Sequence, residues 1–273
     1  MRAVPTLRLA VLQLLLALAG FSAGADAAPS AAAAQPREYL RIPAGEFHSV
    51  LRYEDLPGNR QVAAFELMRE PVTNAQFLAF IARHPQWRRD RVAPLYAERG
   101  LYLAHWRSAT RLGKDALPDQ PVTRVSWFAA TAYCEARHAR LPTWNEWEYV
   151  AAADATRRDA RQDPAWRASI LEWYSTNAHA PLGVVGSHEA NVYGVQDLHG
   201  LIWEWTEDYA ALLVSGDNRL QSDADRLKFC GAGALSVDDR DNYPMMMRVA
   251  MLASLRGANS ISTLGFRCAR DLP

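Results

Sequence analysis

An α+β domain rich in irregular loops is the fold class this sequence predicts, on three observations. Helical patterns are confined to four segments between residues 73 and 173. From Gly183 onward glycines recur at 183, 186, 194, 200, 216, 231, 233, 257 and 265, and regular stretches shorten. No repeat at a fixed period is visible, and the elements do not alternate as a layered α/β fold requires.

Residues 39–50 read as a strand with Pro43-Ala44-Gly45 as a turn inside it, and Phe65-Glu66-Leu67-Met68 as another short strand. Thr73 and Asn74 cap a helix whose apolar face carries Phe77, Leu78, Phe80 and Ile81. Residues 84–120 hold Arg, Trp, Tyr and Pro without periodicity and read as packed loop. Ser126 is the N-cap of a helix to about Arg137 that buries Trp127, Ala130 and Cys134. Thr143 and Glu146 form a capping box for a helix toward residue 153, since the carboxylate three residues on reaches back to the cap amide. Asp163-Pro164 opens a third short helix after the loop, to about Trp173, with proline in the first turn where its missing N–H costs nothing.

The chain has 273 residues with 30 Lys+Arg against 30 Asp+Glu, so it offers no electrostatic footprint for nucleic acid or an anionic membrane. Arg2 and Arg8, the apolar run Leu9 to Leu18, and the small residues around Ala25-Asp26-Ala27 follow the order of a secretory signal over residues 1–27. The apolar core is shorter than the about 20 residues a membrane span needs; the alternative is an uncleaved anchor. Residues 28–38 form a low-complexity linker, and residues 39–273 are long enough for one large domain or two small ones. A periplasmic or secreted location is expected, with no stable membrane span after cleavage.

Three cysteines stand at 134, 230 and 268, and an odd count after export suggests one disulfide and one free thiol. Spacing alone does not say which two pair. There is no Cys-x-x-Cys pattern or close His/Cys set of the zinc type. The histidines at 48, 84, 105, 138, 179, 188 and 199 have no chelating spacing and read as surface or turn residues.

Four blocks carry a family resemblance: Arg69 to Phe77; Pro121 to Trp127 with Arg140 to Glu148; Asn191 to Trp205; and Leu264 to Ala269. In order and spacing they resemble the formylglycine-generating enzyme (sulfatase-modifying factor) family, whose fold is a variant of the C-type lectin-like domain. The resemblance covers about residues 39–271. The stretch Phe229-Cys230-Gly231-Ala232-Gly233-Ala234-Leu235 is also similar to exported NirV-type proteins associated with copper nitrite reductase.

The resemblance implies a copper site of two cysteines behind a glycine-glycine-serine segment. Here Ser236 and Asp241 stand at the thiol positions and Gly233 at the active-site serine. Copper(I) prefers soft thiolates, so a hydroxyl and a carboxylate are poor replacements and a bound copper is not expected. Cys134 and Cys268 match a family disulfide. Cys230 is then left over, as a weak reactive candidate or as a small buried hydrophobe beside Phe229.

By the same resemblance, structural calcium is expected on the side chains of Asp197 and Glu204 and the carbonyls of Gly200 and Ile202, which suits an ion that takes 6–8 oxygen ligands. The alternative is that Asp197 caps its turn and Glu204 pairs with an arginine. A second calcium site would use Asn177 and the carbonyl of Ala178, without a clear distal acid. Arg248 and Arg267 fall where the family places arginines near the substrate groove, and Arg267 is equally well a buried structural charge. These features imply an accessory or maturation factor binding another periplasmic protein, with copper nitrite reductase as one candidate client. The competing readings are an oxidase acting on protein cysteine and a lectin-like ligand binder.

Overall fold

The computed structural model describes residues 38–49, 59–176, 181–212 and 243–272. The expected signal segment, nearly all of the linker, and Asn177, Ala178, Cys230, Gly233, Ser236 and Asp241 lie outside these residues.

A three-stranded antiparallel sheet joins the two ends of the domain. Strands β1 (Tyr39–Ile42) and β7 (Ala269–Asp271) flank β4 (Phe65–Met68), with Leu67 opposite both Leu40 and Ala269. The strand read over residues 39–50 is broken by its Pro43-Ala44 turn, and the second half becomes β2 (Gly45–His48), paired with β3 (Asn59–Val62). A pair of two-residue parallel strands, β5 (Trp203–Glu204) and β6 (Leu264–Gly265), holds the middle of the chain to its end. At Gly265 a Cβ would press into the Val122 carbonyl oxygen, so only glycine fits that crossing.

Helix α1 (Asn74–Arg83) starts at a complete capping box. The Thr73 hydroxyl accepts the Gln76 amide at 3.2 Å, and the Gln76 side chain accepts the Thr73 amide at 2.9 Å. Of its predicted apolar face, Phe77, Phe80 and Ile81 are buried at helical spacing and Leu78 is half-buried. Helix α2 (Trp127–Glu135) is capped by Ser126 and ends two residues short of Arg137, where His138 soon takes a left-handed φ of 54°. Ala130 and Cys134 are buried, while Trp127 is half-buried, with its indole N–H donating to the Thr206 carbonyl at 3.0 Å. Helix α3 (Trp144–Ala151) shows the predicted Thr143–Glu146 box, and Arg140 ties Glu146 to Asp271 at the chain's end. Helix α4 (Pro164–Thr176) runs three residues past the expected Trp173. Helix α5 (Tyr243–Ala253) was not anticipated, and it buries Met245, Arg248, Val249 and Leu252.

The core is aromatic. The Phe77 ring lies 5.9 Å from Tyr133 in a stacked arrangement and 6.1 Å from Phe266 edge-on, which locks α1, α2 and the approach to β7 together. Each such fully buried ring contributes about 1.5–3 kcal/mol of apolar transfer free energy. Cys134 in α2 is bonded to Cys268 beside β7, with 5.6 Å between the Cα atoms, as the family resemblance implies. Among the described residues no helix is long and apolar enough to cross a membrane.

Candidate functional site

The pairing of β5 with β6 builds the site. The Trp203 amide donates to the Thr263 carbonyl at 2.8 Å, which places residues about sixty apart in sequence on one wall. Helix α4 lays its last aromatic pair against that wall. The Tyr174 ring stacks on Trp203 with centroids 4.8 Å apart and 18° between planes, and Trp173 lies 5.8 Å from Trp203. The Tyr174 hydroxyl donates to the Pro244 carbonyl at 3.2 Å, anchoring α4 to α5. Together with Leu182, His188 and Thr263, these rings line a cavity of about 450 Å³.

His188 forms the polar side of this cavity. Its Nδ1 lies 2.7 Å from an Asp197 oxygen, and a carboxylate can only accept, so Nδ1 carries the proton. The hydrogen bond to the Asp197 carboxylate raises the imidazole above the usual histidine pKa. Asp197 is buried, sits at a left-handed φ of 59°, and also accepts the backbone amides of Gly186 (2.5 Å) and His188 (3.2 Å). The His188 ring packs on Gly200, where φ is +95° and a Cβ would come within 3.0 Å of Nε2. Glycine at 200 therefore serves the turn and the ring at once.

Behind Trp203 the site rests on buried charge. Glu204 and Arg267 are both wholly buried. Arg267 donates to one Glu204 oxygen from Nη2 at 2.8 Å and to the other from Nε at 2.9 Å, and the Trp147 indole N–H adds a third donor at 3.1 Å. The remaining Arg267 N–H groups go to the carbonyls of Met68, Arg69 and Gln196. Arg248 is also buried, with its guanidinium carbon 3.3 Å from the Trp147 ring centre and 5.7 Å from that of Trp203. Its Nε has no hydrogen-bond partner, and burial pulls its pKa down to about 10.

These placements bear on several sequence expectations. Arg248 and Arg267 do not line this cavity: Arg267 pairs with Glu204, and the Arg248 guanidinium lies 5.7 Å from the Trp203 ring centre. At the residues expected to hold calcium, the carboxylates are engaged by hydrogen-bond donors. Both oxygens of Glu204 face N–H groups, Asp197 faces two amides and an imidazole N–H, and a cation would meet donors where it needs acceptors. The alternative geometry, a capped turn at Asp197 and an arginine pair at Glu204, is the one present. Gly200 and Ile202 belong to the connecting turn and strand. Of the histidines taken as surface or turn residues, His188 is bound to Asp197. His199 is half-buried, with Nε2 2.8 Å from the Ala151 carbonyl and Nδ1 sealed from solvent without a partner. Burial lowers its pKa to about 4. The sequence reading missed Trp173, Tyr174 and Trp203 as cavity walls; the adjacent pair of rings at the end of α4 was the available signal.

The sequence pattern of the sulfatase-modifying factor enzyme 1-like domain matches residues 25–272, so the chain belongs to that family. The formylglycine-generating enzyme of Streptomyces coelicolor is 29% identical over 92% of this chain and 94% of its own length. A hercynine oxygenase from Mycolicibacterium thermoresistibile is 37% identical over 53% of this chain, and the match spans 36% of that relative. The formylglycine-generating enzyme of Bos taurus is 30% identical over 62% of this chain and 49% of its own length. Among solved structures, CarF is similar at a TM-score of 0.49 and 18% identity, covering 87% of this chain and 99% of CarF.

Proposed function

We propose that this family member is an exported accessory protein that binds a segment of another exported protein in the Trp173–Tyr174–Trp203 cavity and assists its maturation. One observation carries the reading. The Cys134–Cys268 bond takes two of the chain's three cysteines, which leaves only Cys230 as a thiol. A centre of two soft thiolates cannot be assembled in one chain from one thiol, and Ser236 and Asp241 are hard ligands with little affinity for copper(I). The aromatic wall, by contrast, suits a polypeptide segment, because stacked rings give a large contact area at low conformational cost. A copper enzyme such as nitrite reductase is the first client to try, on the similarity of residues 229–235 to NirV-type proteins. Calcium is no part of this reading.

A second reading, an oxidase that converts a protein cysteine to formylglycine, is favoured by the near full-length match to the Streptomyces enzyme. One experiment separates the two. The purified protein is incubated with copper, oxygen and a cysteine-containing sulfatase-type peptide, and the peptide is weighed by mass spectrometry. An unchanged mass, with binding of the client segment that Trp203→Ala abolishes, supports the accessory role. Conversion of the thiol to an aldehyde establishes the oxidase and removes the accessory reading.

A further inference from the structure

A second cavity, of about 310 Å³, shares no lining residue with the aromatic one. It opens where the C-terminus of α1, the C-terminus of α2 and strand β7 meet. Its polar lining is Arg83, His84, Tyr133, Arg137 and Arg270, over a floor of Phe80. Three guanidinium groups and an imidazole therefore converge on a space that a small molecule could fill. Two carboxylates stand near these groups: Glu38, held at the Arg137 Nη2 at 2.5 and 2.6 Å, and Glu66, directly opposite Arg270 across β4 and β7. Glu38 is ion-paired with Arg137, while Arg83 and Arg270 have no ion pair among the described residues. Arg270 stacks its guanidinium 3.7 Å from the Tyr39 ring centre and spends one N–H on the Arg137 carbonyl at 3.2 Å.

The independent sign of a ligand is Tyr133. Its side chain is 1% exposed, its hydroxyl is sealed from solvent, and that hydroxyl has no hydrogen-bond partner. A buried hydroxyl left unpaired is costly and rare in a folded protein. The rest of the ring is fully used, packed on Phe77, Phe80 and Phe266. The hydroxyl feels the charges of Arg137 and Arg83, both of which wall the cavity. Burial pushes its pKa up to about 12, so it remains a donor at neutral pH. The buried Nε groups of Arg137 and Arg270 are likewise unpartnered. The three residues that carry these orphan donors all line this one cavity, where positive charge is in excess.

We propose that this cavity is a binding site for a tetrahedral oxyanion, a phosphate or sulfate group, with the Tyr133 hydroxyl and the guanidinium groups of Arg83, Arg137 and Arg270 as its donors. A planar fork of N–H groups matches such oxygens in pairs, and charge-assisted bonds of this kind are the strong ones. The group could arrive on a free small molecule or on a lipid headgroup; the recognition chemistry is the same.

The test is calorimetric titration of the full protein with inorganic phosphate, and co-sedimentation with phosphatidylglycerol vesicles, for the native protein and two variants. Arg83→Gln alters an exposed side chain at a helix end. Tyr133→Phe keeps the core ring and removes only the orphan hydroxyl. The expected result is saturable phosphate binding weakened about tenfold by either variant, the scale of one charge-assisted hydrogen bond. In phosphate-free buffer Tyr133→Phe is expected to unfold at the native temperature or above it, which a purely structural hydroxyl would not allow. Binding to vesicles but not to inorganic phosphate, lost in Arg83→Gln, assigns the same site to a headgroup. Absence of saturable binding to either probe, or affinity unchanged in both variants, overturns the proposal.

Discussion

Replacing Glu204 by glutamine probes the charge on which the aromatic wall stands. The substitution keeps the side chain's size, so it opens no cavity, but it removes the anion from a pair in which both partners are wholly buried. The amide must also turn its NH2 toward one of three donors, Arg267 Nη2, Arg267 Nε or the Trp147 indole. Breaking a buried pair from one side costs about 3–5 kcal/mol, because the surviving charge is left uncompensated. At about 2–4 °C per kcal/mol for a domain of this size, the unfolding midpoint should fall by about 6–20 °C. The assay is thermal unfolding followed by circular dichroism, in calcium and again in chelator. The native protein is expected to unfold at one temperature in both buffers, and the variant at one lower temperature in both. A native midpoint that rises with calcium, with a variant blind to it, would show that Glu204 ligates a cation and that the ion-pair reasoning is wrong. A drop of under about 2 °C would refute it too, because that is below even 1 kcal/mol of lost stability. Replacing both partners with apolar residues of similar size should be less damaging than the single change, since no charge is then stranded.

Three further outcomes are expected. Reducing the Cys134–Cys268 bond, which closes a loop with a sequence separation of 134, should lower stability by about 5 kcal/mol in the chain-entropy picture, read as a urea midpoint with and without reductant. An unchanged midpoint would count against the bond as a constraint on the unfolded chain. Stability should fall as pH drops from 6.5 toward 4, because burial holds both His105 and His199 at a pKa of about 4 while the unfolded chain takes up those protons near 6.5. Each contributes at most about 3 kcal/mol. His188, raised by Asp197, works in the opposite sense and loses its contribution as pH rises above that range. His105→Leu should flatten the acid slope measured by denaturant unfolding at several pH values, and an unaltered slope would refute the assignment. Gly200→Ala should displace the His188 ring and weaken client binding several-fold, because its Cβ has nowhere to go but toward Nε2 and φ there is +95°. Nuclear magnetic resonance of the His188 ring gives the check: unchanged shifts would mean that the turn relaxes elsewhere.

What was legible in the sequence is what short-range chemistry controls. The Thr143–Glu146 box, the Ser126 cap, the Pro43-Ala44 break and the buried face of α1 are settled within one or two turns of chain, and each stands where the residues put it. The family, too, was carried by contiguous blocks. Helix α5 is not legible locally, because its Met-rich run follows a glycine-punctuated stretch and its buried face is defined by distant partners, α4 and residues 209–211 among them. Strands β5 and β6 are two residues each, too short to show a period, and exist because Trp203 meets Thr263 across the fold.

Charge was decided later still. A carboxylate in a turn reads equally as a cation ligand or as half of an ion pair, since both need an oxygen. The arrival of Arg267, 63 residues further on, and of the Trp147 indole fills Glu204 with donors. The sequence by itself determined the helix caps, the domain's family and the shortage of thiols. Tertiary structure alone decided which charges meet, which hydroxyl is left unpaired and which rings make a wall, because those depend on residues distant in the chain sharing a space that water has left.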